Sequence, residues 1–276
     1  MRPARARIAA LYYYPVKSSR GLELEQAALT SAGLEHDRRW MLTNAAGRFL
    51  TQREVPRLAL LRPTLTADAL RLDAPGMRTL LVPLAQQGAR RRVRVWSDEC
   101  AAFDEGSAVA DWLSAWLGAE THLVRFDPAE RRLSSSHWTG SEQAENRFSD
   151  GFPLLVLSSA SLEDLNTRLS AKLPVERFRP NLLLAGLDPY DEDRIAELRS
   201  EGVRIRIVKP CARCKITTTN QDTGEVEGQE PLATLKTYRY DATLKGVLFA
   251  QNAIVIEGAG RTLRRGQSLE VHWKAP

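Results

Sequence analysis

The sequence predicts an α+β protein in which β-strands dominate. Short runs of β-branched and aromatic residues recur along most of the 276 residues, and turn-forming residues separate them at short intervals. Few segments show the spacing of apolar residues that is typical of a helix. No self-similarity is visible at the repeat length of roughly 20 to 50 residues that solenoids and propellers require. This texture is typical of small antiparallel sheets and barrels.

The N-terminal half is predicted to form a small antiparallel β structure. Its predicted strands and apolar runs are residues 8–14, 39–43, 48–52, 58–66, 69–73, 79–84 and 91–96. Asn44-Ala45-Ala46-Gly47 separates two of these runs and predicts a hairpin turn. In the last run apolar and basic residues alternate, which predicts one buried and one solvated face.

A helix is predicted over residues 106–117, because Val109, Leu113 and Trp116 recur at helical spacing. Gly118 fits a C-terminal cap, since glycine adopts the left-handed conformation at low cost. We expect this helix to pack on the core of the N-terminal half.

A domain boundary is predicted after this helix. Residues 125–146 are rich in Ser, Arg, Glu and Asp, which predicts a long loop or crossing linker. The chain is therefore divided into predicted domains of residues 1–122 and 123–276.

The C-terminal half is predicted to mix strands with two helices. The predicted strands are residues 153–157, 181–185, 203–207, 247–250, 253–257 and 268–273, and the helices begin at Ser161 and cover 231–238. The Ser161 side chain is expected to cap the amides near Asp164. Leu162, Leu165 and Leu169 are expected to face inward.

Composition and charge exclude several classes of protein. The charged fraction of 26% and the hydrophobic fraction of 43% are those of a folded globular chain, which excludes collagen-like and disordered proteins. The 39 Lys and Arg exceed the 34 Asp and Glu by 5. That surplus suits a small anionic ligand and is small for a nucleic-acid binder. The longest early apolar stretch, residues 8–16, is too short for the ~20 residues of a membrane helix.

The arginines of residues 90–94 are predicted to form one solvated face of a strand. They lie on an alternating run without interleaved aromatic residues, which disfavours a nucleic-acid site. The histidines show no metal-binding spacing, and the phosphate-loop, nucleophile-elbow and dinucleotide-binding glycine motifs are absent from the sequence.

Three cysteines are the first candidates for chemistry. Cys100, Cys211 and Cys214 cannot form a disulfide framework for a chain of this size, which predicts a reducing, cytoplasmic compartment. The last two form a Cys-x-x-Cys unit beside Lys209, Arg213 and Lys215. Positive neighbours favour the thiolate, the form that attacks electrophiles and binds metals.

Four interpretations of this pair are open from the residues alone. A structural zinc site needs four ligands, and no second pair of ligands lies at a suitable spacing. A thioredoxin-like dithiol needs a helix after its first cysteine, whereas residues 216–219 are β-branched and predicted to stay extended. The others are two buried structural thiols, and one thiolate on a soft or high-valent metal held mainly by another ligand.

Several motifs, taken in order, resemble one known family. They are Pro15-Val16-Lys17-Ser18, Asp37-Arg38-Arg39-Trp40, Phe148-Ser149-Asp150 followed by Pro153, Phe178-Arg179-Pro180-Asn181, Cys211-Ala212-Arg213-Cys214, Thr217-Thr218 and Asp222-Thr223-Gly224. Together they resemble the MOSC-domain proteins, in the branch that contains the mitochondrial amidoxime-reducing component and bacterial YcbX-type reductases. The resemblance covers residues 8–273 and implies an N-terminal MOSC β-barrel domain packed on a MOSC β-barrel domain with a few helices.

The resemblance also implies a cofactor and a set of site residues. The family binds the molybdenum cofactor, a pterin dithiolene with a phosphate, and the implied metal ligand and catalytic residue is Cys214. The implied cofactor-binding residues are Lys17, Ser18, Arg38, Ser149, Asp150, Arg179, Asn181 and Arg213. Because these positions are far apart in sequence, both halves are expected to build one site. Cys211 has either a supporting role or none beyond structure.

The function implied is the reduction of N-hydroxylated compounds, such as amidoximes, hydroxylamines and N-hydroxylated bases, to amines. No cysteine follows Cys214, so the iron–sulfur domain of many YcbX-type relatives is not expected, and electrons are expected from a separate flavin reductase or ferredoxin-type protein. A membrane anchor is not expected, which favours a soluble bacterial protein. Binding of nucleic acid or of pyridoxal phosphate is not expected either. The alternative function is that of a non-catalytic protein that carries the molybdenum cofactor or sulfur. This alternative arises because MOSC domains also occur at the end of molybdenum-cofactor sulfurases.

Overall fold

The computed structural model describes residues 4–85 and 88–275. Its strands are β1 (Ala4–Tyr13), β2 (Leu22–Leu24), β3 (Gln26–Thr30), β4 (Gly33–Leu34), β5 (Trp40–Asn44), β6 (Arg62–Leu65), β7 (Ala69–Asp73), β8 (Leu80–Pro83), β9 (Arg90–Val95), β10 (Asp98–Asp104), β11 (Thr121–Phe126), β12 (Leu154–Ser158), β13 (Leu182–Ala185), β14 (Ile195–Ser200), β15 (Val203–Ala212), β16 (Tyr240–Asp241), β17 (Gly246–Glu257), β18 (Thr262–Arg264) and β19 (Ser268–Trp273). Its helices are α1 (Ser107–Leu117), α2 (Ser136–Thr139), α3 (Ser159–Thr167) and α4 (Leu232–Arg239). The prediction of a strand-dominated α+β chain is confirmed.

A closed barrel of seven strands forms the larger part of the fold. Its order is β12-β13-β1-β19-β14-β15-β17, and β17 pairs with β12 to close it. The β12–β13 pair is parallel, and the other pairs are antiparallel. Apolar and polar residues alternate along β15, so that its apolar side chains fill the barrel interior. Val203, Ile205 and Ile207 are buried in the main core, while the arginines between them lie outside.

The N-terminal half forms two smaller sheets around a second core. One sheet has the order β5-β11-β10-β9, and the other has the order β6-β7-β8. Helix α1 buries Val109, Leu113 and Trp116 against this core, as its spacing predicts. Gly118 ends the helix with a φ of 72°, in the left-handed region.

Some predicted elements differ in extent. The run 48–52 makes isolated bridges rather than a strand, and the run 58–66 begins with a 3-10 turn over Pro56–Leu60 before β6. The predicted strands 247–250 and 253–257 are one strand, β17, because irregular pairing with β15 absorbs the interruption.

Helix α3 begins earlier than predicted, and its N-cap residue, Ser158, makes no side-chain capping hydrogen bond. It starts at Ser159, and the Ser161 hydroxyl donates instead to Oε2 of buried Glu192 at 2.7 Å. The prediction that Ser161 caps the helix is therefore wrong, since a buried carboxylate is a stronger acceptor for that hydroxyl. Leu165 faces the core as expected, with Leu162 and Leu169 partly buried beside it.

Residues 125–146, which are predicted to form a loop, contain the end of a strand and a short helix. Arg125 and Phe126 end β11, and α2 lies within the segment. The boundary predicted after residue 122 falls inside β11, while β1 pairs with β13 and β19 of the other half. The division into 1–122 and 123–276 stays a prediction.

Within residues 4–85 and 88–275, no helix has both the length and the apolar character needed to cross a membrane.

The place of β1 inside the barrel gives a stability prediction. Leu11 is fully buried in the barrel core, whereas Leu81 of β8 is 59% exposed. We expect Leu11→Ala to lower the free energy of unfolding by about 2–5 kcal/mol, because it leaves a cavity. The matched variant Leu81→Ala should change it by less than about 0.5 kcal/mol. Urea unfolding of both variants measures this, and equal effects would contradict the placement of β1.

Candidate functional site

One cleft lies where the barrel meets the N-terminal sheets. It encloses about 800 Å³ of empty space, part of which is open solvent. The structure brings all nine predicted site residues to its walls: Lys17, Ser18, Arg38, Ser149, Asp150, Arg179, Asn181, Arg213 and Cys214. Their individual roles stay predictions.

Two arginines that line the cleft both lie close to the ring of a buried tyrosine. The guanidinium carbons of Arg38 and Arg179 lie 4.1 and 4.2 Å from the centre of the Tyr14 ring. The Tyr14 hydroxyl donates to the Pro180 carbonyl at 3.0 Å, and burial raises the pKa of Tyr14 above its ordinary value. Tyr14 therefore stays neutral, and its ring face attracts both cations.

Asp37 fixes the geometry of this stack. Its buried carboxylate accepts the Tyr14 backbone N–H at 2.8 Å and Nη1 of Arg38 at 2.5 Å. Arg38 and Arg179 both have positive φ, at 45° and 57°, which costs energy for residues other than glycine. Asp37 belongs to a motif quoted above, yet its contact with Tyr14 is not predictable from the sequence, since that contact depends on the fold.

Arg179 is one of the most enclosed cations in the cleft. It donates from Nη1 to the Ser19 carbonyl at 2.6 Å, and burial lowers its pKa to about 10. The guanidinium therefore keeps its charge at neutral pH. No carboxylate among the described residues forms an ion pair with Arg179, so this buried cation favours an anionic ligand.

Lys17 and Asp150 form an ion pair across the cleft. Nζ of Lys17 lies 2.5 Å from Oδ1 of Asp150 and 2.7 Å from the Phe148 carbonyl. Burial by itself raises the pKa of Asp150, but Lys17, with help from Arg53 and Trp96, outweighs it and holds that pKa below its ordinary value. Asp150 is therefore a carboxylate at neutral pH.

Arg132, which the sequence did not single out, holds the loop that carries Ser149 and Asp150. Its Nη1 donates to the Ser149 carbonyl at 2.6 Å, and its Nη2 donates to the Asp150 carbonyl at 3.2 Å. The guanidinium is buried and also pairs with Asp98 at 2.8 Å. Nothing in the local sequence distinguishes Arg132 from the neighbouring surface arginines.

Asn181 ties the walls of the cleft together. Its Oδ1 accepts the Leu155 N–H at 3.0 Å and Nη1 of Arg38 at 3.2 Å, and its Nδ2 donates to the Tyr12 carbonyl at 3.1 Å. Most of its hydrogen-bonding capacity is thus used inside the protein. The geometry favours a positioning role for Asn181, which holds Arg38 in place.

The two cysteines differ in their surroundings. Nη1 of Arg213 lies 3.0 Å from Sγ of Cys211, and its Nη2 donates to the Phe178 carbonyl at 2.7 Å. Within the described part of the chain, Sγ of Cys214 has no hydrogen-bond partner, while its carbonyl accepts the Thr217 hydroxyl at 3.0 Å. Cys214 therefore lines the cleft with a thiol that is free of hydrogen bonds within the described residues.

The sequence predicts an extended chain after Cys214, and this prediction is wrong. Residues Lys215–Thr218 form a 3-10 turn with Cys214 at its N-cap position, because the Thr217 and Thr218 hydroxyls donate to carbonyls three residues earlier. The turn is too short for the helix of a thioredoxin-like site.

Paired amides join the two halves beside the cleft. Nε2 of Gln221 donates to Oε1 of Gln52 at 3.0 Å, and Nε2 of Gln52 donates to the Ser18 carbonyl at 2.8 Å. Arg20 adds an ion pair with Asp222 at 2.8 Å. The turn that carries Lys17 is therefore held against the loop that follows Cys214.

The donor set fits a bulky anion that carries a soft metal. Five cationic side chains line the cleft against one carboxylate, Asp150, among the residues described. Charge-assisted donors of this kind bind phosphate strongly. The described residues contain no group of three His, Cys, Asp or Glu placed to hold a metal ion. A metal at Cys214 must therefore bring most of its ligands with it, as a dithiolene does.

Comparisons with known proteins agree with these motifs. A model of the MOSC N-terminal beta barrel domain matches residues 5–120, and a model of the MOSC domain matches residues 143–270. The human mitochondrial amidoxime-reducing component 1 is 37% identical over 241 residues, which cover 84% of this chain and 72% of that protein. The chain belongs to the MOSC-domain family. The implied fold, a MOSC N-terminal domain with a MOSC barrel and a few helices, is confirmed.

Two further relatives bear on the chemistry of this MOSC protein. The human mitochondrial amidoxime reducing component 2 is 34% identical over 241 residues, 84% of this chain and 72% of that one. A molybdenum cofactor sulfurase of Oryza sativa is 34% identical over 287 residues, 93% of this chain but 34% of the sulfurase. The family and these relatives associate the chain with the molybdenum cofactor.

The Lys17–Asp150 pair predicts how stability depends on pH. A carboxylate whose pKa is depressed on folding contributes stability above its unfolded pKa of roughly 3.9, and loses it as the pH falls toward the folded value. We expect Asp150→Asn to destabilise the protein by roughly 1–2 kcal/mol at pH 7, since Asp150 is 55% exposed, and by less at pH 3.

Urea unfolding at the two pH values measures this difference. Asp73→Asn is the matched control, because its ion pair with Arg71 is exposed and should contribute less than about 1 kcal/mol. A loss in Asp150→Asn that grows as the pH falls would contradict the assigned charge state.

Proposed function

We propose that this MOSC protein is a molybdenum-cofactor oxidoreductase that reduces N-hydroxylated compounds to amines. The single observation that carries the proposal is the free sulfur of Cys214 in a cleft lined by buried cations from both halves of the chain. The two amidoxime-reducing relatives, which match 84% of the chain, support this reaction class.

The cations of the cleft would hold the cofactor. Lys17, Arg38 and Arg179 offer fixed donors to a phosphate and a polar pterin, and Ser18 lies beside them. When bound, the cofactor supplies a molybdenum centre that exchanges oxygen atoms and electron pairs with a substrate. Cys214 would contribute the soft thiolate that completes its ligand shell.

The reduction consumes two electrons and two protons for each N–OH bond that becomes N–H and water. Asp150 is the only carboxyl among the described residues that line the cleft, and its depressed pKa leaves it without a proton at neutral pH. Lys17 is committed to Asp150 and to the Phe148 carbonyl. We infer that water entering through the open side of the cleft delivers the protons.

The electrons would come from a separate protein of the flavin-reductase or ferredoxin type, acting in the cytoplasm. The described residues contain no group of three His, Cys, Asp or Glu that could hold a further redox metal, so the electrons would pass directly from that partner to the cofactor. The substrates would be small N-hydroxylated molecules, because the cofactor would fill much of the cleft.

A second candidate function is a cofactor or sulfur carrier. The sulfurase match over 93% of the chain favours it. A carrier would hold a persulfide on Cys214 and show no reductase activity, and intact-mass measurement after thiol alkylation would detect the extra sulfur. A mass without that sulfur, together with turnover, would exclude the carrier.

The two cysteines give a matched pair of variants. We expect Cys214→Ser to lose at least about 100-fold in benzamidoxime reduction with an artificial electron donor, because serine is a poor ligand for a soft metal site. Cys211→Ser should keep activity within about threefold, since Arg213 retains its bond to the Phe178 carbonyl.

Molybdenum and pterin content of both variants is measured alongside activity. Cys214→Ser protein that is loaded with molybdenum and fully active would overturn the role of Cys214. Activity lost equally in both variants would assign the chemistry to the pair rather than to one sulfur.

A further inference from the structure

A tryptophan at the rim of the cleft has no part in the function above. Trp96 and Ser97 form the two-residue turn between β9 and β10, where Val95 pairs with Asp98. Trp96 has a φ of 57°, a conformation that such turns normally give to glycine or asparagine. A bulky side chain costs energy there, and strain of this kind clusters at functional sites.

The Trp96 indole is exposed and yet fixed. Phe49 meets it edge-on with ring centres 5.0 Å apart, and the Arg53 guanidinium lies 4.7 Å from its ring centre. Its Nε1 donates to Oδ1 of Asp150 at 3.2 Å. With 45% of Trp96 still exposed, a ligand could use this ring with little loss of side-chain entropy.

Three arginines and one glutamate line the hollow around this indole. We call it the Trp96 hollow; its walls include Arg48, Phe49, Arg53, Glu54, Arg94 and Trp96. Arg48 is paired with Glu54, and Arg94 is paired with Glu99 at 2.7 Å.

Arg53 is the cation of the hollow with the weakest partner. Its Nη2 lies 3.4 Å from Asp150, whose other oxygen already accepts Lys17 at 2.5 Å. Its Nη1 has no hydrogen-bond partner within the part of the chain that the structure describes. Arg53 also lines the cleft, so it joins the hollow to the proposed cofactor site.

We propose that the Trp96 hollow is a second binding site, which takes a planar aromatic base carrying a phosphate. The base would stack on Trp96, as nucleobases do on aromatic side chains, and the phosphate would pair with Arg53. A nucleoside 5′-monophosphate has both features. It could be a free nucleotide or the nucleotide part of a ligand that extends from the cleft, because Arg53 borders both spaces.

Titration calorimetry on the purified protein tests the site without reference to activity. The ligands are CMP, GMP and AMP, with ribose 5-phosphate and cytidine as probes that lack the base or the phosphate. We expect one or more of the monophosphates to bind at least tenfold more tightly than either probe, because stacking and the ion pair act together.

Substitutions at Trp96 locate the site. Trp96→Asn removes the ring but suits the turn, so it should fold and weaken nucleotide binding about tenfold or more. Trp96→Phe keeps an aromatic face and should bind within about threefold of the wild type. Tyr240→Asn is the control, since Tyr240 is an exposed aromatic residue that borders neither space.

Mass analysis of the cofactor extracted from the same protein separates the two sources. A pterin that carries a nucleotide in wild type and Trp96→Phe but loses it in Trp96→Asn supports an extended ligand. A pterin without a nucleotide, together with binding sensitive to Trp96→Asn, supports a free nucleotide. A nucleotide-free pterin with no monophosphate binding above that of the probes, or binding unchanged by Trp96→Asn, would overturn the proposal.

Discussion

The site depends on holding several positive charges out of water in one cleft. Arg38 and Arg179 face the same tyrosine ring, Lys17 is buried, and a single carboxylate lines the cleft within the described chain. Like charges so placed repel one another, and desolvation adds to that cost. Backbone carbonyls, the Tyr14 ring and the buried carboxylate of Asp37 offset it. The remaining excess of positive charge favours an anionic ligand over a neutral one.

The same constraint explains why neither half can form the site alone. Lys17 and Arg38 follow β1 in sequence, but β1 itself lies in the barrel between β13 and β19. Cys214 follows β15 and lines the same cleft, and the paired amides of Gln52 and Gln221 hold the two loops together. A cofactor bound here would contact both halves, so its binding would stabilise their association.

Secondary-structure elements and motifs could be predicted from the sequence, whereas contacts between residues far apart in the chain could not. Alternation in β15 and helical spacing in α1 are local signals, and both elements form where expected. Closure of the barrel through β12 and β17 is not local, since it joins segments about a hundred residues apart. For the same reason the roles of Asp37 and Arg132 were missed, because each acts through backbone groups that only the fold brings near. The 3-10 turn after Cys214 was missed because threonine hydroxyls there outweigh the β preference of the residues.

Molybdenum X-ray absorption on the purified protein tests the central claim most directly, because it counts the sulfur atoms bonded to the metal. If Cys214 completes the ligand shell, wild-type protein shows one sulfur neighbour more than Cys214→Ser protein with the same molybdenum content. The Cys211→Ser protein then matches the wild type. The same number of sulfur neighbours in wild type and Cys214→Ser would contradict the assignment of Cys214 as the metal ligand.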